Sequence, residues 1–343
     1  MDIAWYWTAL IAFGVVNFML VSASVLVYAE RKVAGYIQNR PGPNRVGPFG
    51  FLQPFADVLK LILKENIVPT IANPFIHSLA PYIMVLIAFT ASCLIPIARG
   101  VVVADMEMSV LVLLAMTSIS VYGVTLAGWS SNSKYSLLGG LRSSAQMISY
   151  ELSMGLAVIS VVLLAGSLNL SAIVEDQSAG WGFFGWNIFR NPIGAIIFIV
   201  TAFAETNRTP FDLPEAEQEL VGGYHTEYSG MKFGMFFLAE YVNFFVASFV
   251  IVTLFFGGYM LPFEPLILLA IPSLDGSIWL GLLQGFTLLL KAGFFAFTFI
   301  WVRWTLPRFK YNQLMTLGWK YLLPLALANA LLVAGGIALF HAF

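Results

Sequence analysis

Six carboxylates, Glu205, Asp212, Glu215, Glu217, Glu219 and Glu227, crowd residues 205–227, a stretch whose only Lys or Arg is Arg208. A wet, flexible acidic loop is the plain reading of such a run. Against it, the acids alternate with Phe211, Leu213, Leu220, Val221 and a glycine pair. Carboxylates crowded in a partly dry site titrate as a coupled set, some with pKa values raised toward neutrality. Such a set can hand protons along. Glu151, Glu240 and Lys291 interrupt otherwise apolar stretches, where a charge costs about 2.5–3.5 kcal/mol even on a lenient insertion scale. Either a Glu and the Lys satisfy each other between helices, or these residues border a path for protons or ions.

The elements that position these groups follow from composition. Of 343 residues 59% are hydrophobic and 10% charged, against roughly a quarter charged in soluble domains. The mean hydropathy is +0.84. An ordinary soluble protein is excluded, and the expected fold is an all-α polytopic membrane protein forming a single transmembrane domain over residues 1–343. A net charge of −1 offers no basic surplus for nucleic acid. One cysteine, Cys93, cannot build a disulfide, a zinc site or a thiolate-held iron–sulfur cluster within the chain. The histidines, His77, His225 and His341, are too scattered to suggest paired haem ligands.

A spanning helix needs about 20 apolar residues. Eight candidates satisfy this: 3–29, 75–98, 108–126, 145–168, 181–204, 233–260, 278–302 and 321–343. Asp2 stands where a cleavable signal peptide would be basic, so the first helix is expected to be retained. The fifth candidate is interrupted by Arg190 and Pro192, and its start is expected to move to Pro192. The connections near 30–74, 127–144, 205–232 and 303–320 carry 14 of the 17 Lys and Arg residues. By the positive-inside rule these loops face the cytoplasm and both termini the opposite side. In the first of them, Gln53, Asp57, Lys60 and Lys64 recur on one helical stripe, with Phe51, Phe55, Val58, Leu59 and Ile62 opposite. That pattern predicts an amphipathic helix on the cytoplasmic side, lying in the membrane interface or capping a cavity. The preceding NRPGPNRVGP, residues 39–48, contains too much Pro and Gly for a regular helix.

Four motifs, one per cytoplasmic connection, resemble a known family. They are AERKVAGYIQNRPGPNRVGPFGFLQPFADVLKLILKE (29–65), GWSSNSKYSLLGGLRSSAQMISYE (128–151), AETNRTPFDLPEAEQELVGGYHTEY (204–228) and PRFKYNQLM (307–315). The family is the quinone-site membrane subunit of respiratory complex I, the proton-pumping NADH:quinone oxidoreductase. The resemblance implies an eight-helix translocase subunit in a bacterial inner membrane, or alternatively the mitochondrial one. Its substrate would be a quinone, ubiquinone ahead of menaquinone. No covalently bound group is implied, and the FMN, iron–sulfur clusters and NADH site would lie on partner subunits.

Those partners would be hydrophilic quinone-module subunits on one side and antiporter-like membrane subunits on the other, with lipid around the chain. By position in the motifs, Arg31, Arg40, Arg45 and Asp57 would line or support the quinone chamber. Glu205, Asp212, Glu215, Glu217, Glu219, Glu227, Glu151 and Glu240 would form a proton path. A homologous subunit of a membrane-bound hydrogenase complex is the closest alternative. A secondary transporter fits less well, because no internal repeat is visible. A plain membrane anchor would need neither Glu151 nor the acidic run.

Overall fold

The computed structural model describes residues 5–178, 182–212, 221–264, 268, 272 and 276–342. Among these the regular secondary structure is helical, without a β-sheet. In chain order the helices are α1 (Trp5–Ile37), α2 (Gln53–Leu63), α3 (Pro74–Ser92), α4 (Ser109–Ser130), α5 (Lys134–Ala165), α6 (Leu170–Ser178), α7 (Asn187–Arg190), α8 (Pro192–Glu205), α9 (Gly230–Phe255) and α10 (Ile278–Thr305). Then α11 (Tyr311–Thr316) passes through a π-helical segment, Leu317–Leu322, into α12 (Leu323–Ala342). Seven stretches are long and apolar enough to cross a membrane, and α8 is a shorter apolar helix.

Local chemistry explains the boundaries. Asn73 caps α3 by accepting from the amides of Phe75 and Ile76 at 3.2 and 3.3 Å, with Pro74 in the first turn. Asn191 caps α8 by accepting from Gly194 N at 3.0 Å, with Pro192 first in the helix. The start anticipated at Pro192 is therefore the one observed. At 14 residues and 1.5 Å per residue, α8 covers about 21 Å, less than a hydrocarbon layer of about 30 Å. Its acidic end, Glu205, is reached while longer helices still surround it.

Several boundaries differ from those read in the sequence. The first helix runs on to Ile37, so Glu30, Arg31 and Lys32 belong to it rather than to a loop. Helix α5 starts at Lys134, and only residues 131–133 separate it from α4, because Gly128 and Gly140 let the two backbones touch. A Cβ on Gly128 would come within 2.6 Å of Ser136 O. Helix α2 ends before Lys64, whose ψ of 138° is extended, so the polar stripe keeps three of its four residues.

Helix α9 is the central element, packed against α1, α3 and α10 along its length. Residues Phe244 to Phe255 of α9 are almost all buried. Phe203 and Phe299 stack at 3.8 Å, joining α8 to α10. Helix α12 rests mainly on α5 and is otherwise exposed.

Candidate functional site

The end of α8 is where polar chemistry concentrates. The chain leaves the helix at Thr206 and turns through Asn207, whose φ of 51° is a left-handed conformation that asparagine tolerates. This turn drives Arg208 back into the bundle, where it is 1% exposed. Its Nη1 donates to Glu30 Oε2 at 2.8 Å and its Nε to Glu240 Oε1 at 3.1 Å. The guanidinium stacks between the rings of Tyr241 and Phe244, each 4.4 Å away. Glu30 also accepts from Tyr241 OH at 3.0 Å and pairs through Oε1 with Arg303 Nη1 at 2.8 Å. Two carboxylates and two guanidiniums thus meet in one cluster, with Glu30 and Arg208 buried and Glu240 and Arg303 partly so. Burial alone would lower the Arg208 pKa, but Glu240 and then Glu30 outweigh it and hold it above the ordinary value.

The segment carrying Arg208 is fastened at both ends. Gln146 of α5, fully buried, donates from Nε2 to Ala204 O and Phe211 O, both at 2.7 Å. Thr209 Oγ1 donates to Arg303 O at 2.9 Å, and Asp212 accepts from Arg308 at 2.8 Å. Asp212 is therefore buried in an ion pair beside the cluster.

Glu205 and Glu151 form a second acidic pair, near enough to interact electrostatically. Glu151 of α5 accepts a short hydrogen bond from Ser118 of α4. A cavity between α3, α4, α5, α8 and α9 has Glu205 and Glu240 in its wall together with Thr117, Ser120, Asn207 and Asn243. Methionines 84, 147 and 154 line its apolar side. The cavity joins the Glu205 region to the Glu30–Arg208–Glu240 cluster. Lys291, the suggested partner of a membrane glutamate, bonds instead to backbone carbonyls of Phe256, Gly258 and Met260. The glutamates find their partners in Ser118 and Arg208.

The first connection forms a separate polar region. Arg31 makes a short ion pair with Asp57, which also accepts from Gln53 Nε2 at 3.1 Å. Lys32 donates to Asn44 at 2.7 Å and Tyr28 OH to Phe49 O at 3.0 Å, folding the Pro-rich loop back along α1. Gly50, with φ of 82°, permits this, since a Cβ there would lie 2.2 Å from Pro43 O. Arg40 bonds to Gln38 at 2.6 Å and Arg45 is exposed. Both stay on the outside of the loop, apart from the Arg31–Asp57 pair. Phe51, Leu52, Phe55, Val58, Leu59 and Ile62 beside it are exposed.

Glu227 sits partly buried in the turn before Tyr228, whose hydroxyl pKa burial pushes up to about 12, against the opposing pull of Ser130. His225 packs among Tyr224, Phe233 and Phe237, and burial lowers its pKa to about 4. Glu215, Glu217 and Glu219 lie outside the described residues. Among the described residues no three His, Cys, Asp or Glu side chains gather as a metal site.

Nothing in the sequence alone marks Glu30, Arg303, Tyr241 or Gln146 as a site residue. Glu30 borders an apolar run next to Arg31 and Lys32 and reads as a helix flank. Arg208 is visible as the lone cation of an acidic run, the one signal that sets it apart.

Fold and site together define a polytopic helical membrane protein with a carboxylate-lined cavity and a buried ion cluster at one end. Residues 10–334 match the NADH dehydrogenase family, and the chain belongs to that family. It is 75% identical over 340 residues to NADH-quinone oxidoreductase subunit 8 of Rhodothermus marinus, covering 99% of this chain and 100% of that one. An NADH-quinone oxidoreductase subunit of Salinibacter ruber is 72% identical over 336 residues, covering 98% and 97%. Its counterpart in Rhodospirillum centenum is 50% identical over 324 residues, covering 94% and 91%.

Proposed function

We propose that this chain is the membrane subunit of an NADH:quinone oxidoreductase that forms the membrane part of the quinone chamber and links quinone reduction to proton translocation. The observation that carries this reading is the cavity with Glu205 and Glu240 in one wall, backed by the Glu30–Arg208–Arg303 cluster. Reducing a quinone to a quinol builds negative charge on its oxygens and consumes protons, so the site must supply cations and proton donors. Arg31, held by Asp57 beside exposed Phe51 and Phe55, presents a cation next to apolar surface that suits an isoprenoid tail. Arg40 and Arg45 support the same chamber from the loop.

The proton path is made of Asp212, Glu215, Glu217, Glu219, Glu227, Glu205, Glu151 and Glu240, the set the motifs imply, and within it Glu205 and Glu240 share the cavity wall. The relatives' names favour a quinone over the hydrogenase-type alternative, with ubiquinone as the first quinone to try. The chain crosses a bacterial inner membrane eight times, α8 being the short crossing, with α2 lying in the interface and both termini periplasmic. Hydrophilic quinone-module subunits and antiporter-like membrane subunits are its partners.

The test is Glu205→Gln in the assembled complex, reconstituted into vesicles. Quinone-linked NADH oxidation and proton uptake should fall together, while NADH oxidation by an artificial flavin-level acceptor is unchanged. Wild-type rates of quinone-linked NADH oxidation and of proton uptake in that variant would remove Glu205 from the path.

A further inference from the structure

Lys291, halfway along α10, takes no part in the carboxylate route. Its ammonium donates to Phe256 O at 2.8 Å, Gly258 O at 3.0 Å and Met260 O at 2.7 Å, and lies 4.2 Å from the Trp186 ring centroid. Three donors meet three acceptors that cannot return a proton, a geometry made for ammonium and not for amine. The carboxylate that acts on it electrostatically is Glu264, whose oxygens are held by Leu261 N and Gln284 Nε2, both at 3.0 Å.

The neighbouring carbonyls are closed by neutral groups. Gln177 Nε2 takes Thr253 O and Asn187 Nδ2 takes Leu254 O, both at 2.9 Å. Gly257, with φ of 71°, lets Trp186 lie on the turn, since a Cβ there would be 2.4 Å from the indole nitrogen. Capping the end of α9 is the bland role for Lys291, and a cation suits a helix C-terminus. Neutral amides do the same work two residues away, without the insertion cost of a charge.

The position of the charge supplies a second role. The cavity holding Glu205 and Glu240 follows α9 as far as Val250. Beyond it Ile251, Leu254 and Phe255 are buried, with Phe198 against Phe255 at 5.5 Å and Phe256 against Phe295 at 4.8 Å. Past this apolar plug stands the Lys291 ammonium. We propose that Lys291 is the electrostatic half of a seal that keeps protons from entering the carboxylate cavity from the side of the α9–α10 connection, the plug being the other half. A fixed cation raises the energy of a proton approaching along the same line, as charged constrictions do in channels. The seal rests on the carboxylate route proposed above.

The experiment uses the assembled complex in vesicles, with a pH gradient imposed in the absence of NADH. Lys291→Met and Lys291→Gln should admit protons several-fold faster than wild type and lower the proton yield per NADH, while NADH oxidation and FMN content stay the same. Lys291→Arg should remain tight. If the Met variant does not assemble, the Gln variant, which keeps two donors for the carbonyls, carries the test. An assembled charge-free variant as proton-tight as wild type overturns the seal. Glu240→Gln in the same vesicles separates the two ideas. Lost pumping there beside a tight Lys291→Gln leaves the route standing and sinks only the seal. Unchanged pumping sinks the route, and with it the seal.

Discussion

Arg208 and Glu30 are 178 positions apart in the chain and 2.8 Å apart in space. Their pairing ties the turn after α8 to the far end of α1, with Glu240 and Arg303 completing the cluster from α9 and α10. Buried charges of this kind contribute little to stability when all are present, and much when one is removed.

Replacing Arg208 by Met leaves Glu30 and Glu240 enclosed without their shared cation, a loss of about 3–5 kcal/mol by analogy with broken buried pairs. The assembled complex should melt at markedly lower temperature, or fail to accumulate. Arg208→Lys should recover only part of the loss, because an ammonium cannot present the guanidinium fork to both carboxylates. Thermal stability and yield of the detergent-solubilised complex check this, and Lys equal to wild type would deny the fork any role.

Arg31 and Asp57 behave differently, with side chains 46% and 27% exposed. A pair this wet is worth about 0–1 kcal/mol. Arg31→Ala is therefore expected to assemble normally and to lose quinone reductase activity several-fold, with the flavin-level acceptor reaction intact. Equal quinone kinetics in the variant would place Arg31 outside the chamber.

His225 gives a pH dependence of definite sign. Burial lowers its pKa to about 4, from 6.5 in the open chain, so the folded segment prefers the neutral ring. Its contribution to stability is complete above about pH 6.5 and is lost as the pH falls from there toward 4. At pH 5 the loss is at most about 2 kcal/mol. A proton on the buried, unpartnered Nδ1 would place a donor among aromatic rings. Amide exchange at residues 221–229, corrected for intrinsic rates, should accelerate between pH 7 and 5 in wild type and hold level in His225→Gln. Parallel profiles would rule out the histidine as cause.

Topology is open to labelling. Gln177 is fully buried and bonded to Thr253 and Gly257, so a cysteine there would disturb the core. Exposed Asn132 and Glu107 are better sites once Cys93 is replaced by Ser. Membrane-impermeant maleimide should label the Asn132→Cys variant only from the cytoplasm and the Glu107→Cys variant only from the periplasm. The reverse pattern inverts the topology.

Hydropathy made the long spans legible because each must satisfy its own backbone within lipid. It blurred their ends, since Glu30, Arg31 and Lys32 look like loop yet continue α1, whose helix is sustained by contacts with α2 and α9. Motif and charge pointed to Glu205, Glu240 and Glu151, but a pairing across 178 positions has no local signature. Lys291 was legible as an anomaly and its partners were not, because backbone carbonyls leave no trace in residue identity. The π segment Leu317–Leu322 was hidden because its contacts are with residues far away in the chain. It answers to Gly318 lying against Tyr150 and to Trp319 donating to Ser149 at 3.0 Å.

More of the length of α9 is enclosed than of any other long span, and this orders the birth of the molecule. Five apolar helices, α1, α3, α4, α5 and α8, leave the ribosome before it. At about 5–20 residues per second, the 178 positions between Glu30 and Arg208 take roughly 10–35 s to synthesise. Through that interval Glu30 is without Arg208, and Tyr241, its partner on α9, is made later still. Chain growth past residue 255 delivers the most enclosed helix, so the interior cannot close before that residue is made.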